Sequence, residues 1–354
     1  MKQHIAACAN RLKDTGLDAL LISDPSNIDF LTGFKQTNGY LLITASEELF
    51  CFTNFLYDSA ARKKSDWKII TSNFSNNIFN LIANESLRLK LKRIGFEGKH
   101  IPYLEKKVIE ELLREEKIDF IKTEDLIEKI RLIKNPKEIS WIKKAIQIGK
   151  DAFDYIKEIN NENMSEKTLC IEIEKFLRLK GDNEIAFNTI VAAGKNTAFP
   201  HHLPSKDKLT GKFFLIDLGA RHYGYCSDLT RLFSWDKMPS LFRKIYDIIR
   251  VAQDLSFKKI CDGMPAAMVD KAARQYIDKK GWGKYFGHGV GHGIGFSVHE
   301  PPILSPKSKE ILKEGMVVTV EPAIYINNQF GIRLEDMVLV KRKKGEVLSG
   351  NIDR

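Results

Sequence analysis

Phe213-Phe214-Leu215-Ile216-Asp217-Leu218-Gly219 is an apolar run with a single carboxylate set in it, and beyond Gly224 the chain continues as Tyr225-Cys226-Ser227-Asp228-Leu229-Thr230. The two runs read as strands returning on one another through a turn at Gly224, a hairpin that holds Asp217 and Asp228 side by side. One Asp in such company is ordinarily a hydrogen-bonded structural group. Two facing ones repel, and each is pushed toward protonation unless a cation lies between them.

Two more acids lie further along the chain. Val317-Val318-Thr319-Val320-Glu321-Pro322 is a β-branched strand ending on Glu321, and Gly331-Ile332-Arg333-Leu334-Glu335-Asp336-Met337 leads into the strand Met337-Val338-Leu339-Val340 with Glu335 at its start. Within these runs Arg333 is the exceptional cation, so a metal is the simplest neutraliser of the four acids. Between the two pairs stands Gly287-His288-Gly289-Val290-Gly291-His292-Gly293-Ile294-Gly295, followed by His299-Glu300-Pro301. Its glycines are expected to bring the backbone near a ligand and to take positive φ. It lacks the Lys-Ser/Thr ending of a phosphate loop. Imidazoles there suit metal ligation and acid–base work. Four carboxylates with one or two imidazoles make a hard site for two divalent ions, Mn²⁺ by ligand type, with Co²⁺ or Zn²⁺ favoured by the affinity series. Paired ions lower the pKa of a water and polarise a carbonyl, which is machinery for hydrolysis.

Upstream, the first third alternates short strands and helices. Leu17–Ile22, Gly39–Thr44, Leu49–Phe52, Trp67–Ile70 and Arg93–Glu97 are the expected strands, with a helix from Tyr103 to Glu116, an α/β pattern. Nothing there gathers His, Asp or Glu at catalytic spacing, so a structural or oligomerising role is expected. Asn135-Pro136-Lys137-Glu138 is a helix start, with Asn as N-cap, Pro at the first position and Glu in the first turn. The apolar stripe Ile139, Ile142, Ile146, Gly149, Phe153 and Ile156 follows it. A second helix begins at Ser165 and stops at Gly181. The boundary falls between Leu126 and Asn135, giving domains 1–128 and 129–354.

Composition narrows the class. Of 354 residues, 43% are hydrophobic and 29% charged, and no apolar run has bilayer length, so a globular protein without a membrane partner is expected. The N-terminal stretch is broken by Arg11, Lys13 and Asp14, against a secretory leader. Cys8, Cys51, Cys170, Cys226 and Cys261 are odd in number and unclustered, which reads as reduced thiols in a cytoplasm. The net charge of +10 is spread along the chain. Its densest run, Lys341-Arg342-Lys343-Lys344, reads as a solvated surface, with no nucleic acid as partner.

These motifs together resemble the pita-bread-fold metallopeptidases of the aminopeptidase P and prolidase (Xaa-Pro peptidase) family, over nearly the whole chain. Asp18 to Phe34, with Asn27 and Leu31-Thr32-Gly33-Phe34, is similar to the N-terminal domain of that group, and Asn135 onward to its catalytic domain. The resemblance implies an N-terminal creatinase/prolidase-type α/β domain and a C-terminal catalytic domain whose curved, mostly antiparallel sheet is flanked by helices. It makes Asp217 a ligand of one metal and Asp228 a bridge. His292 and Glu321 would bind the second metal, with Glu335 bridging the pair. His288, His299 and His201 fall on the substrate side, as does Arg333, with Glu321 as proton shuttle, while the neighbouring His202 is left as structural. The implied reaction removes an N-terminal residue that precedes proline, in an aminopeptidase acting as a cytoplasmic homodimer. An Xaa-Pro dipeptidase is the alternative. Methionine aminopeptidase shares the five ligands but is disfavoured by the extra N-terminal domain and by Arg333. A non-catalytic pita-bread binding protein is disfavoured because no ligand is substituted. Trp282, Tyr285 and Phe286 are expected to be packing, and Cys226 stands close to the Asp228 segment.

Overall fold

The computed structural model describes residues 2–35, 39–64, 67–209, 213–235 and 238–350. The chain divides into two compact units, Met1–Arg131 and Leu132–Arg354. The first is a six-stranded mixed sheet of β1 (Ala19–Ile22), β2 (Tyr40–Thr44), β3 (Leu49–Asn54), β4 (Lys68–Ser72), β5 (Arg93–Glu97) and β6 (Asp119–Thr123), in the order β4-β3-β2-β1-β5-β6. β1 is parallel to β5 and antiparallel to β2. Every residue of β1 and β2 is buried, which explains unbroken apolar runs in place of alternation: helices cover both faces. The helices are α1 (Lys2–Thr15), α2 (Pro25–Thr32), α3 (Phe55–Lys64), α4 (Ile78–Arg88), α5 (Tyr103–Glu115) and α6 (Leu126–Arg131). β6 carries no sequence expectation. It is a half-exposed edge strand whose Asp119 and Lys122 hide its periodicity and guard its open side.

The second unit opens on α7 (Pro136–Ile159) and α8 (Glu166–Lys180). Asn135 accepts from the Lys137 and Glu138 amides while Glu138 reaches back to the Asn135 amide, a reciprocal capping box. Ile142, Ile146, Gly149, Phe153 and Ile156 form the buried face of α7. Each such large apolar side chain contributes about 1.5–3 kcal/mol of burial. Gly181 ends α8 without a left-handed φ. A Cβ there would come within 2.5 Å of the Arg221 carbonyl, so close approach is what requires glycine.

The strands of this unit are β7 (Ile190–Ala193), β8 (Phe213–Leu218), β9 (Arg221–His222), β10 (Tyr225–Cys226), β11 (Leu229–Ser234), β12 (Gly291–Gly293), β13 (Glu300–Leu304), β14 (Val317–Val320), β15 (Ala323–Ile326), β16 (Phe330–Arg333), β17 (Asp336–Leu339) and β18 (Glu346–Val347). They form sheets β11-β8-β7 and β13-β12-β14-β17-β18 and the pairs β10-β9 and β15-β16, and among the described residues these strands pair antiparallel throughout. Helices α9 (Ser240–Phe257) and α10 (Ala266–Lys279) pack on the larger sheet through a core that includes Phe242, Ile249, Val269, Ile277, Val318 and Val338. Phe286 is buried in that core, with Trp282 and Tyr285 packed against it, so these aromatics are packing. The five cysteines are free thiols. Lys341 to Lys344 are exposed. Among the described residues no helix is long and apolar enough to cross a membrane.

Candidate metal centre

Asp217 and Asp228 do not face each other across the hairpin as the runs suggested. The register pairs Asp217 with Thr230, and Asp228 lies just before β11. The run Tyr225–Thr230 splits, its first two residues pairing with β9 instead. Asp228 is nevertheless two positions from Thr230, and alternation along a strand returns it to the face of Asp217 as a diagonal neighbour.

The glycines of 287–295 also act differently from expectation. None has a positive φ. A Cβ on Gly291 would stand 2.1 Å from the Thr319 carbonyl, and one on Gly293 would stand 2.1 Å from the Pro301 carbonyl. Small residues are needed because β12 is pressed between β13 and β14. That close packing lays His292 against the strand that leads to Glu321. The Glu321 amide donates to the Val290 carbonyl at 2.7 Å, and the His292 amide donates to Thr319 Oγ1 at 3.1 Å.

Asp228, His292 and Glu335, all buried, each bring one ligand atom within 4.8 Å of the others. His292 Nδ1 lies 3.0 Å from the Gly293 carbonyl and therefore carries the proton, leaving Nε2 with its lone pair. That lone pair looks toward Glu321 Oε1 at 3.4 Å and Asp228 Oδ2 at 3.7 Å. An acceptor facing carboxylates at these distances makes no hydrogen bond; the arrangement fits a cation held between them. Asp217 completes the group, with Oδ2 accepting from Arg333 Nη2 at 2.6 Å and Oδ1 buried without a partner among the described residues.

Electrostatics agree with that fit. Burial, then the charges of Glu335, Asp217 and Glu321, raise the Asp228 carboxyl well above its ordinary range. Burial, then Glu321 and Asp217, do the same to Glu335. Burial pushes Glu321 up to about 7, although Arg333 pulls it down. Burial takes His292 down to about 4, so its imidazole stays neutral. These acids are held against their own charge and await a counterion.

Arg333, expected on the substrate side, makes four bonds within the protein. Besides Asp217 it reaches Tyr325 Oη at 2.6 Å, the Pro200 carbonyl at 3.3 Å and, through Nε, Thr230 Oγ1 at 3.1 Å. Thr230 in turn donates to Glu335 Oε2 at 2.8 Å. Arg333 thus orients two acids at once, and nothing in these contacts supports a substrate-binding part. Thr230 and Tyr325 had no sequence expectation. Thr230 could have been found by strand alternation from Asp228, and Tyr325 by its diagonal place to Arg333 in the β15-β16 hairpin.

The other histidines are placed as follows. His288 Nδ1 lies 2.7 Å from the Gly289 carbonyl, and its Nε2 is buried with no partner among the described residues. Burial lowers its pKa. Its carbonyl accepts from Arg274, which is paired with Asp270 four residues earlier on α10, a spacing readable in the sequence. His299 is exposed at the surface, its ring 4.3 Å from that of His292, and the partial shielding of that ring, then His201, lowers its pKa. Beside it, Glu300 is locked to Lys134 at 2.5 Å in a buried pair. His201 is exposed, and His202 is hydrogen-bonded at 2.7 Å to the buried Glu166, which fixes the turn carrying both.

In the first unit Asp24, His100 and Glu128, far apart in sequence, converge in space. Both carboxylates already serve the fold: Asp24 caps the Ser26 amide and Glu128 accepts from the Asn27 side chain.

Residues 140–342 match the model of metallopeptidase family M24, and residues 4–133 match that of the creatinase/prolidase N-terminal domain. The chain belongs to metallopeptidase family M24. It is similar to the Xaa-Pro dipeptidase of Pyrococcus furiosus, 30% identical with 96% of this chain and 95% of that one covered. Among solved structures it is similar to an Xaa-Pro dipeptidase from Bacillus anthracis (TM-score 0.92, 32% identity, 100% and 98% covered). It is also similar to an X-Pro aminopeptidase from Thermotoga maritima (TM-score 0.88, 30% identity, 97% and 98% covered). The M24 chain is accordingly a pita-bread enzyme that depends on divalent metal.

The pH dependence of that metal site follows from the acids. Glu321 ordinarily titrates at 4.5 and here at about 7. A carboxyl raised in the folded state stabilises the fold below the lower value, and that contribution is lost as pH climbs through the upper one. Asp228 and Glu335 have the same sign. Metal-stripped protein is therefore expected to melt at falling temperature from about pH 4.5 to 7, while its apparent Mn²⁺ affinity rises over the same window. Calorimetry at a series of pH values checks this. A flat affinity across the window contradicts it.

Proposed function

We propose that this M24 enzyme hydrolyses the bond between an N-terminal residue and a following proline, as an Xaa-Pro aminopeptidase. The carrying observation is the constellation of the buried Asp217, Asp228, His292 and Glu335 with the half-buried Glu321 and with Arg333 as its cation, in a chain with full-length relatives named for Xaa-Pro substrates. Those five residues would hold two divalent ions, Mn²⁺ by the preponderance of oxygen donors, with Co²⁺ and Zn²⁺ as substitutes. When bound, such a pair lowers the pKa of a water and polarises the scissile carbonyl.

The chain's own residues divide the remaining work. Glu321 keeps 18% of its side chain exposed at the edge of the centre, which suits a group that takes a proton and returns it to the leaving nitrogen. His288, neutral and with Nδ1 committed, offers a buried acceptor to a substrate N–H or ammonium. His201 and His299, exposed beside the centre, supply donors for the carbonyl side. Proline's nitrogen carries no hydrogen, so an enzyme that grips the carbonyl and the N-terminal amine, not that nitrogen, is needed. The resemblance further supports a cytoplasmic homodimer, with catalysis in 129–354.

An Xaa-Pro dipeptidase is the second reading, favoured by the names of the Pyrococcus and Bacillus anthracis relatives. Stripped protein restored with Mn²⁺ and given Gly-Pro and Arg-Pro-Pro side by side separates the two. Cleavage of the tripeptide supports the aminopeptidase, and cleavage of the dipeptide alone supports the dipeptidase. Failure on both, with Met-Ala peptides cut, overturns the proline assignment.

A further inference from the structure

The ladder between β14 and β17 runs from Val317↔Leu339 to Val320↔Asp336 and stops there. The next residues on the two strands are Glu321 and Glu335. At the point where the backbone pairing ends, a side chain from α9 takes over. Gln253, fully buried, donates through Nε2 to the Val320 carbonyl at 3.0 Å and to the Leu334 carbonyl at 3.2 Å. Each is the carbonyl immediately preceding a glutamate of the centre. Its Oε1 has no partner among the described residues, so the carboxamide's contribution here is its two-pronged donation.

We infer that Gln253 is a positioning residue for the metal centre: its carboxamide fixes the separation of Glu321 and Glu335 by clamping the two backbones where the sheet releases them. The inference rests on reading Glu321 and Glu335 as metal ligands. A purely apolar packing role would not call for a donor, and a leucine or methionine would fill the same core position between α9 and the sheet. A clamp on two carbonyls does call for one, since a single NH₂ carries the two hydrogens the pair requires. Residues that orient ligands without touching the metal typically alter affinity by 10–100-fold when removed.

The test compares metal-stripped wild type, Gln253→Met, Gln253→Glu and Glu335→Ala by titration calorimetry with Mn²⁺, alongside melting of the stripped proteins. Gln253→Met keeps the shape and loses both donors, and is expected to bind Mn²⁺ about 10–100-fold more weakly. Gln253→Glu, driven neutral by burial, keeps one donor and is expected between the two. Mn²⁺ binding by Gln253→Met within about twofold of wild type, with a lowered melting temperature, makes Gln253 a packing residue and overturns the inference. If Gln253→Met does not fold, wild-type affinity in Gln253→Glu overturns it equally. Glu335→Ala with unchanged Mn²⁺ binding sinks the ligand reading itself, a result distinct from either.

Discussion

Asp228→Ala is expected to lower kcat on an Xaa-Pro peptide by about 10³-fold or more, because losing a ligand shared by the centre removes several kcal/mol of transition-state stabilisation. The same change is expected to raise the melting temperature of the metal-stripped protein at pH 8. Asp228 is buried among Glu335, Asp217 and Glu321, and their charges oppose its ionisation. Removing it relieves that repulsion, so the enzyme trades stability for its site. Steady-state kinetics and a melting curve on one preparation check both halves. An alanine variant that is inactive yet less stable when stripped would mean that Asp228 serves the fold, with its acid neighbours already compensated.

Arg333→Met is expected to be the most damaging change to the fold around the centre. Its guanidinium bonds Asp217, Tyr325, Thr230 and the Pro200 carbonyl from a buried position. Removing one partner of a buried ion pair costs about 3–5 kcal/mol, most of it for the charge left behind. Arg333 also lowers the carboxyls of Asp228, Glu321 and Glu335, so its loss lets protons compete harder with metal. Urea denaturation reads the first effect, and a rightward shift of the pH–affinity curve reads the second. Arg333→Lys keeps the charge and loses the fork, so a smaller loss is expected. Equal damage from Lys and Met would assign the effect to geometry over charge.

The sequence made the outline of this architecture legible because apolar runs and caps are local signals. Asn135-Pro136-Lys137-Glu138 announces α7, and its capping box is present atom for atom. β6 was missed because an edge strand with Asp119 and Lys122 has neither the burial nor the alternation that reveals a strand. In the site, embedded acids are conspicuous because charge in an apolar run is costly and rare. What supports them was not visible. The register runs unbroken from the turn at Tyr223-Gly224 through His222↔Tyr225 and Arg221↔Cys226 to Asp217↔Thr230, and the exact place of that turn, which sets Asp228 before β11 and not opposite Asp217, is what the runs alone do not show. Within 287–295, close approach to neighbouring backbone and not positive φ is what requires Gly289, Gly291 and Gly293. Gln253 lies on an amphipathic helix where a single amide gives no sign of what it will meet across the core.

The most direct measurement is the titration of metal-stripped enzyme with Mn²⁺ at pH 8, counting equivalents per chain by calorimetry. Two equivalents are expected, falling to one or none in Glu335→Ala, with hydrolysis of an Xaa-Pro peptide returning as the sites fill. Full activity in the stripped protein, or no Mn²⁺ bound at the end of the titration, would contradict the account.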